Sequence, residues 1–236
     1  MLKQYSKVGL AALLLAGFIS TAQATGGSGD GSWTSCYVGG QVVGGVWANS
    51  EKWIVRTPGG AFFGQSLGEH DADGWIGGVQ AGCDYQLADI VFGIRGDYGW
   101  TEASGTHASA LEFGVFYHSE IEALASITGR IGYAWNRVLG YLKGGVAWER
   151  DNYSASTILV GTAFTASDTR QGWTIGGGGE YAFARFLSGF IEYDYYDFGT
   201  SDIRLTPRLA GLGPGFLDIE ETANVVRAGL NLRFGG

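Results

Sequence analysis

Residues 89–101 read DIVFGIRGDYGWT. Ile90, Phe92, Ile94, Gly96, Tyr98 and Trp100 fall on one parity, and Gly93, Arg95, Asp97 and Gly99 on the other. Alternation with a period of two marks a strand whose faces meet different surroundings. One face here suits hydrocarbon; the other carries an opposite-charge pair between glycines. The pattern returns near the end of the chain, where Val226, Ala228, Leu230, Leu232 and Phe234 alternate with Arg227, Gly229, Asn231 and Arg233. In residues 173–183, Trp173, Ile175, Tyr181 and Phe183 alternate in the same way with Thr174 and Glu180, through glycines.

Working outward, eight such segments can be placed: 35–47, 74–86, 89–101, 121–135, 138–150, 171–183, 187–198 and 222–234. The connectors after the second, fourth and sixth are two or three residues: 87–88, 136–137 and 184–186. The others, 48–73, 102–120, 151–170 and 199–221, are long, polar and Gly-bearing. Alternating short and long connectors predict an all-β chain, an eight-stranded antiparallel up-and-down transmembrane β-barrel with short periplasmic turns and four long extracellular loops.

Period alone does not say which face points inward. A soluble lipocalin-like barrel would hold its apolar face inside, and Gly31-Ser32-Trp33 matches the lipocalin Gly-x-Trp signature. Three features favour the membrane. The polar parity is dominated by charges and glycines, which suit a narrow self-neutralising lumen. Aromatics such as Trp47, Trp75, Tyr85, Trp100, Trp135 and Trp173 gather at segment ends, as interfacial girdles require. The chain also closes on a strand ending in an aromatic.

The N-terminus agrees. Lys3 and Lys7 precede an apolar run from Val8 to Ile19, followed by Ala22-Gln23-Ala24, the order of a cleaved secretory signal. Residues 1–24 are read as that signal, 25–34 as a flexible periplasmic leader and 35–236 as the barrel. Gly or a charge interrupts every later apolar run short of the roughly 20 residues a membrane helix needs. The 42 Gly and 33 aromatic residues against 3 Pro favour strands joined by Gly-bearing turns. A formal net charge of −8 argues against nucleic acid as a partner.

With these segments in place, the chain resembles the small outer-membrane immunogenic proteins, porin-labelled surface antigens related to opacity proteins and built on an OmpA-like barrel. The resemblance is carried by WIGGVQAGCDYQ (75–86), VFGIRGDYGW (91–100), TGRIGYAW (128–135), YLKGGVAW (141–148), GWTIGGGGEYAF (172–183), EYDYYDFG (192–199) and VRAGLNLRF (226–234). It implies an abundant envelope component, surface antigen or porin, with haem binding in some members. It also implies that Phe234 is the aromatic read by the barrel assembly machinery, although Gly235-Gly236 follow it here. Cys83 stands where the family tends to carry an aromatic, so the resemblance supplies no disulfide.

Nine residues fall on lumen parity: Arg95, Asp97, Arg130, Lys143, Glu180, Glu192, Asp194, Arg227 and Arg233. Eight strands leave an interior just wide enough for side chains to fill, so an ion-paired plug is favoured over a small-solute channel. Cys36 opens the first strand and Cys83 closes the second, at matching heights near the periplasmic rim. They are either a disulfide or two thiols serving as small apolar wall residues.

Other motifs carry less. Gly64-Gln65-Ser66-Leu67-Gly68 matches the nucleophile elbow, but that motif has meaning only at a strand-to-helix turn. His107 and Ser109 with Glu120 or Glu122 could form a rim hydrolase, and His70, His107 and His118 could ligate haem, yet no spacing enforces either. The chain is read as a non-enzymatic envelope protein without a cofactor. Its expected partners are outer-membrane lipid, the assembly machinery and external contacts through the loops.

Overall fold

The computed structural model describes residues 32–57, 62–67, 70–109, 114–157, 161–207 and 215–235; residues 1–24, read above as a signal, and residues 25–31 of the expected leader lie outside the described residues. The described residues form eight strands: β1 (Ser35–Val55), β2 (His70–Leu87), β3 (Ile90–Ala108), β4 (Val115–Trp135), β5 (Val138–Thr157), β6 (Gly161–Ala184), β7 (Leu187–Pro207) and β8 (Gly215–Phe234). Each pairs antiparallel with its sequence neighbour, and β8 returns to β1 through a register running from Cys36 opposite Phe234 to Val55 opposite Leu217, closing the barrel. Closure matters because hydrocarbon offers no partner to an unpaired backbone amide.

At the periplasmic end, two-residue turns join β2 to β3, β4 to β5 and β6 to β7. Asn136 takes a positive φ of 53° in the second of these, a conformation that Asn tolerates in tight hairpins. The orientation of the faces is settled by exposure. Val79, Phe92, Ile94, Ile127, Leu142, Ile175, Ile191 and Leu230 point outward, whereas Arg95, Glu192, Asp194 and Arg227 are buried inside. This is the membrane arrangement and the reverse of a lipocalin. Tyr85, Trp135 and Phe183 stand exposed at the lower edge of the apolar band, and Trp47, Trp75, Trp100 and Trp173 at the upper edge. Ten residues separate Trp75 from Tyr85, which spans about 25 Å once the strand is tilted.

The strands run far beyond that band. They are 18 to 24 residues long, where about ten cross hydrocarbon. Much of 48–73, 102–120, 151–170 and 199–221, expected as loop, is therefore strand projecting outside the membrane. Two physical changes hide it. First, bulges at Ser50/Lys52, Trp100/Ala103, Ile121/Ala123 and Asp197/Gly199 interrupt the register near the upper girdle. In β4 the inward residues change there from Ser126, Thr128 and Arg130 to Ile121, Ser119 and Tyr117. Second, the polarity inverts: Glu102, Thr106, Glu120, Arg150 and Arg204 face out, while Trp53, Tyr117, Tyr153, Ile203, Leu217 and Ile219 pack inside.

The leader boundary also shifts. Trp33, expected in a flexible segment, is buried in the periplasmic mouth, where its indole nitrogen donates to the Asn136 carbonyl oxygen at 3.2 Å. It packs with Val91, Ala134, Leu139 and Tyr141 as a stopper.

Backbones approach closely where a lumen glycine faces a neighbouring strand. A Cβ on Gly229 would lie 2.2 Å from the Gly40 carbonyl oxygen and 2.7 Å from the Phe190 ring, whereas one on Gly179 would meet nothing within 4 Å. Gly229→Val is expected to abolish the fast-migrating folded form on unboiled gels, and Gly179→Val to retain it.

Candidate functional site in the barrel lumen

Every second residue of a barrel strand points inward, so charges two apart on one strand stack vertically in the lumen. Asp97 sits above Arg95 on β3, and Asp194 above Glu192 on β7. Lys143 projects from β5 and Arg227 from β8 at the same level. Arg95 holds Glu192 through two parallel contacts, Nη1 to Oε2 at 2.8 Å and Nη2 to Oε1, a bidentate geometry that only a guanidinium supplies. Lys143 Nζ bridges Glu192 Oε1 at 3.1 Å and Asp194 Oδ2 at 2.9 Å. Arg227 reaches Asp97 at 3.4 Å and Asp194 at 3.0 Å. The Tyr141 hydroxyl donates to Glu192 Oε2 at 2.8 Å, and Ser126 Oγ to Asp97 at 3.1 Å. Three cations meet three carboxylates.

A second cluster lies closer to the periplasm. Arg130 Nε donates to Asp84 Oδ1 at 2.7 Å, its Nη2 contacts Asp84 Oδ2, and its Nη1 reaches Glu180 Oε2 at 3.2 Å. Arg233 donates to Glu180 Oε1 at 2.9 Å and to the Trp33 carbonyl oxygen at 2.8 Å. Ser188 and Asn231 add donors to Glu180 Oε1. Two guanidiniums meet two carboxylates. The nine residues singled out from parity thus all lie in the lumen and divide between these two clusters, with Asp84 completing the lower one.

A third cluster was not foreseen. Glu149 and Asp151 on β5, Arg170 on β6 and Glu221 on β8 are buried above the upper girdle. Arg170 Nη1 lies 3.3 Å from Glu221 Oε2, and its Nε 3.5 Å from Asp151 Oδ2. The Tyr153 hydroxyl lies 3.1 Å from Asp151 Oδ2 and 3.0 Å from Glu221 Oε2. Glu149 shares the parity of Lys143 and was legible on that ground. Asp151, Arg170 and Glu221 fell in segments expected as loops.

An apolar layer separates the third cluster from the first: Ile76, Ile121, Leu124, Val46, Val225, Tyr196 and Phe198 meet there with small alanines. A second apolar layer, around Trp53, Tyr117 and Ile219, lies above it.

The remaining candidates are placed as follows. Cys36 and Cys83 face each other across β1 and β2 and form a disulfide on the outer wall. Phe234, exposed on that wall, pairs with Cys36 at the β8–β1 seam. Gly64 turns with φ of 78° and Ser66 bridges to Ile54, in a loop hydrogen-bonded to β1 and not at a strand-to-helix turn; Gly68 lies outside the described residues. The register sets Glu120 opposite Ser104, five residues from Ser109 or about 17 Å along the strand, so these two do not converge on one point. Glu122 instead accepts from Asn152 Nδ2 at 2.6 Å. His118 Nδ1 is 2.8 Å from Thr106 Oγ1, and the side chains of His70 and His107 are outside the described residues.

Comparison with known proteins fits this geometry. The model of the outer membrane protein beta-barrel domain matches residues 10–234. The 31 kDa outer-membrane immunogenic protein of Brucella melitensis is 32% identical over 170 residues, covering 69% of this chain and 68% of that protein. The 25 kDa outer-membrane immunogenic protein of Brucella abortus is 30% identical over 141 residues, covering 59% of this chain and 60% of that protein. Among solved structures, OprG from Pseudomonas aeruginosa shares the fold with a TM-score of 0.51 at 11% identity, over 87% of this chain and 98% of that one. The chain belongs to the outer membrane protein beta-barrel domain family, and its place is the outer membrane.

Proposed function

We propose that this barrel is a structural and surface-presenting component of the cell envelope, acting through its lipid-facing wall and its projecting strands and not by passing solutes. The observation that carries this reading is the filled lumen: two charge-balanced clusters stacked between the Trp33 stopper and an apolar layer. Water and ions crossing such a column would have to break several buried ion pairs and wet an apolar layer. The relatives named as outer-membrane immunogenic proteins support surface presentation. In the same proposal the wall contacts outer-membrane lipid, Phe234 at the seam serves as the signal for the barrel assembly machinery, and the projecting strands and loops make any external contacts.

The expected result in planar lipid bilayers is a current that stays at baseline after insertion is verified by heat-modifiable migration. Discrete channel openings would overturn the plugged reading. The lumen network is also expected to carry stability. Glu192→Leu leaves Arg95, Lys143 and Arg227 with too few carboxylates, and breaking a buried pair costs about 3–5 kcal/mol. Its urea unfolding midpoint in lipid vesicles should fall accordingly, while Glu102→Gln on the exposed outer face should unfold with the wild type.

A further inference from the structure

The three lumen clusters differ in charge balance. The lower two pair three cations with three carboxylates and two with two. In the third, Glu149, Asp151 and Glu221 face Arg170, the cation within ion-pair reach among the described residues. With all three carboxyls ionised, two negative charges would be left over between apolar layers, where charge is most costly.

The distribution of donors points the same way. Arg170 and Tyr153 engage Asp151 Oδ2 and Glu221 Oε2. Glu149 is 1% exposed, yet among the described residues neither of its carboxylate oxygens has a hydrogen-bond donor, and Asp151 Oδ1 has none. One ligand oxygen from each of Glu149, Asp151 and Glu221 can be chosen so that all lie within 4.8 Å of one another. Oxygens that close can share one ion at the calcium–oxygen distance of about 2.4 Å, and magnesium, which dehydrates reluctantly and usually keeps several waters, suits a site closed by apolar layers less well. The donors are all hard oxygens, without the nitrogen or sulfur ligands that zinc prefers.

We propose that Glu149, Asp151 and Glu221 bind one hard divalent cation of calcium's size inside the projecting half of the barrel. The ion neutralises the excess of two charges, supplies the partner that Glu149 lacks, and ties β5 to β8 across the lumen. Arg170 and Tyr153 hold Asp151 Oδ2 and Glu221 Oε2, which leaves Asp151 Oδ1 and both oxygens of Glu149 for the metal. Because an apolar layer closes the site on each side, the ion is taken up as the strands close during folding.

The test is refolding of the full chain into lipopolysaccharide-free phosphocholine vesicles with calcium chloride, magnesium chloride, zinc chloride or a chelator, followed by gel filtration and elemental analysis. The expected result is one calcium per folded chain. The temperature at which the folded gel form is lost should also rise by about 5 °C relative to the chelator sample. Glu149→Gln and Asp151→Asn should each lose the bound calcium and the shift. Both remove a buried like charge, so each should still give the folded gel form in chelator. Calcium below 0.2 per chain, equal calcium in the variants, or a preference for zinc would each overturn the proposal.

Discussion

A backbone amide in hydrocarbon must find its partner within the protein, and this requirement fixes the rest of the molecule. It forces β8 back onto β1, and with eight strands the closed sheet leaves an interior only as wide as the side chains that fill it. Whatever points inward must then satisfy itself without bulk water. Bidentate Arg95–Glu192 and Arg130–Asp84 pairs answer that demand locally, and the glycines opposite bulky groups let neighbouring strands approach. Outside, the same pleat turns every alternate side chain to lipid, so one alternation serves both solvents.

The lumen is a sequence of layers. From the periplasm it passes from the Trp33 stopper through two neutral ionic layers, an apolar layer, the acid-rich layer and a second apolar layer. Neutral ionic layers can be buried because each charge has its partner within the same slice. The acid-rich layer breaks that rule, and it does so beyond the upper girdle, where the barrel has left the bilayer.

How much of this could be read from residues alone varied with depth. Within the membrane, parity was decisive: Arg95 and Asp97 alternate with Ile94 and Tyr98 because lipid and lumen alternate, and parity singled out nine of the ten charged residues of the two lower clusters, Asp84 being the tenth. The alternation stopped being readable where its chemistry changed. Above the girdle, Tyr117 and Ile219 point in and Glu120 and Arg204 point out, the pattern of a water-soluble barrel, and the bulge at Ile121/Ala123 moves the phase by one residue. A search for apolar-out strands therefore ends at Trp100 and Trp148, and takes Asp151, Arg170 and Glu221 for loop. Trp33 was missed for another reason: a single aromatic after a Gly-rich stretch carries no periodic signal, and only the open mouth of the barrel gives it a place. Cys36 and Cys83 could be set at one height from strand order, but the choice between thiols and a bond needed the register.

If the projecting strands present a surface as proposed, the inversion above the girdle governs what that surface displays. Neighbouring outward residues on one strand, such as Glu102 and Ser104, are about 7 Å apart, and the residues beside them belong to the adjoining strand, as Glu120 lies opposite Ser104. An antibody footprint on this stalk is therefore a mosaic drawn from distant stretches of chain. It exists only while the hydrogen-bond ladder holds, and a linear peptide copied from any one strand would present the buried tyrosines and isoleucines together with the charges.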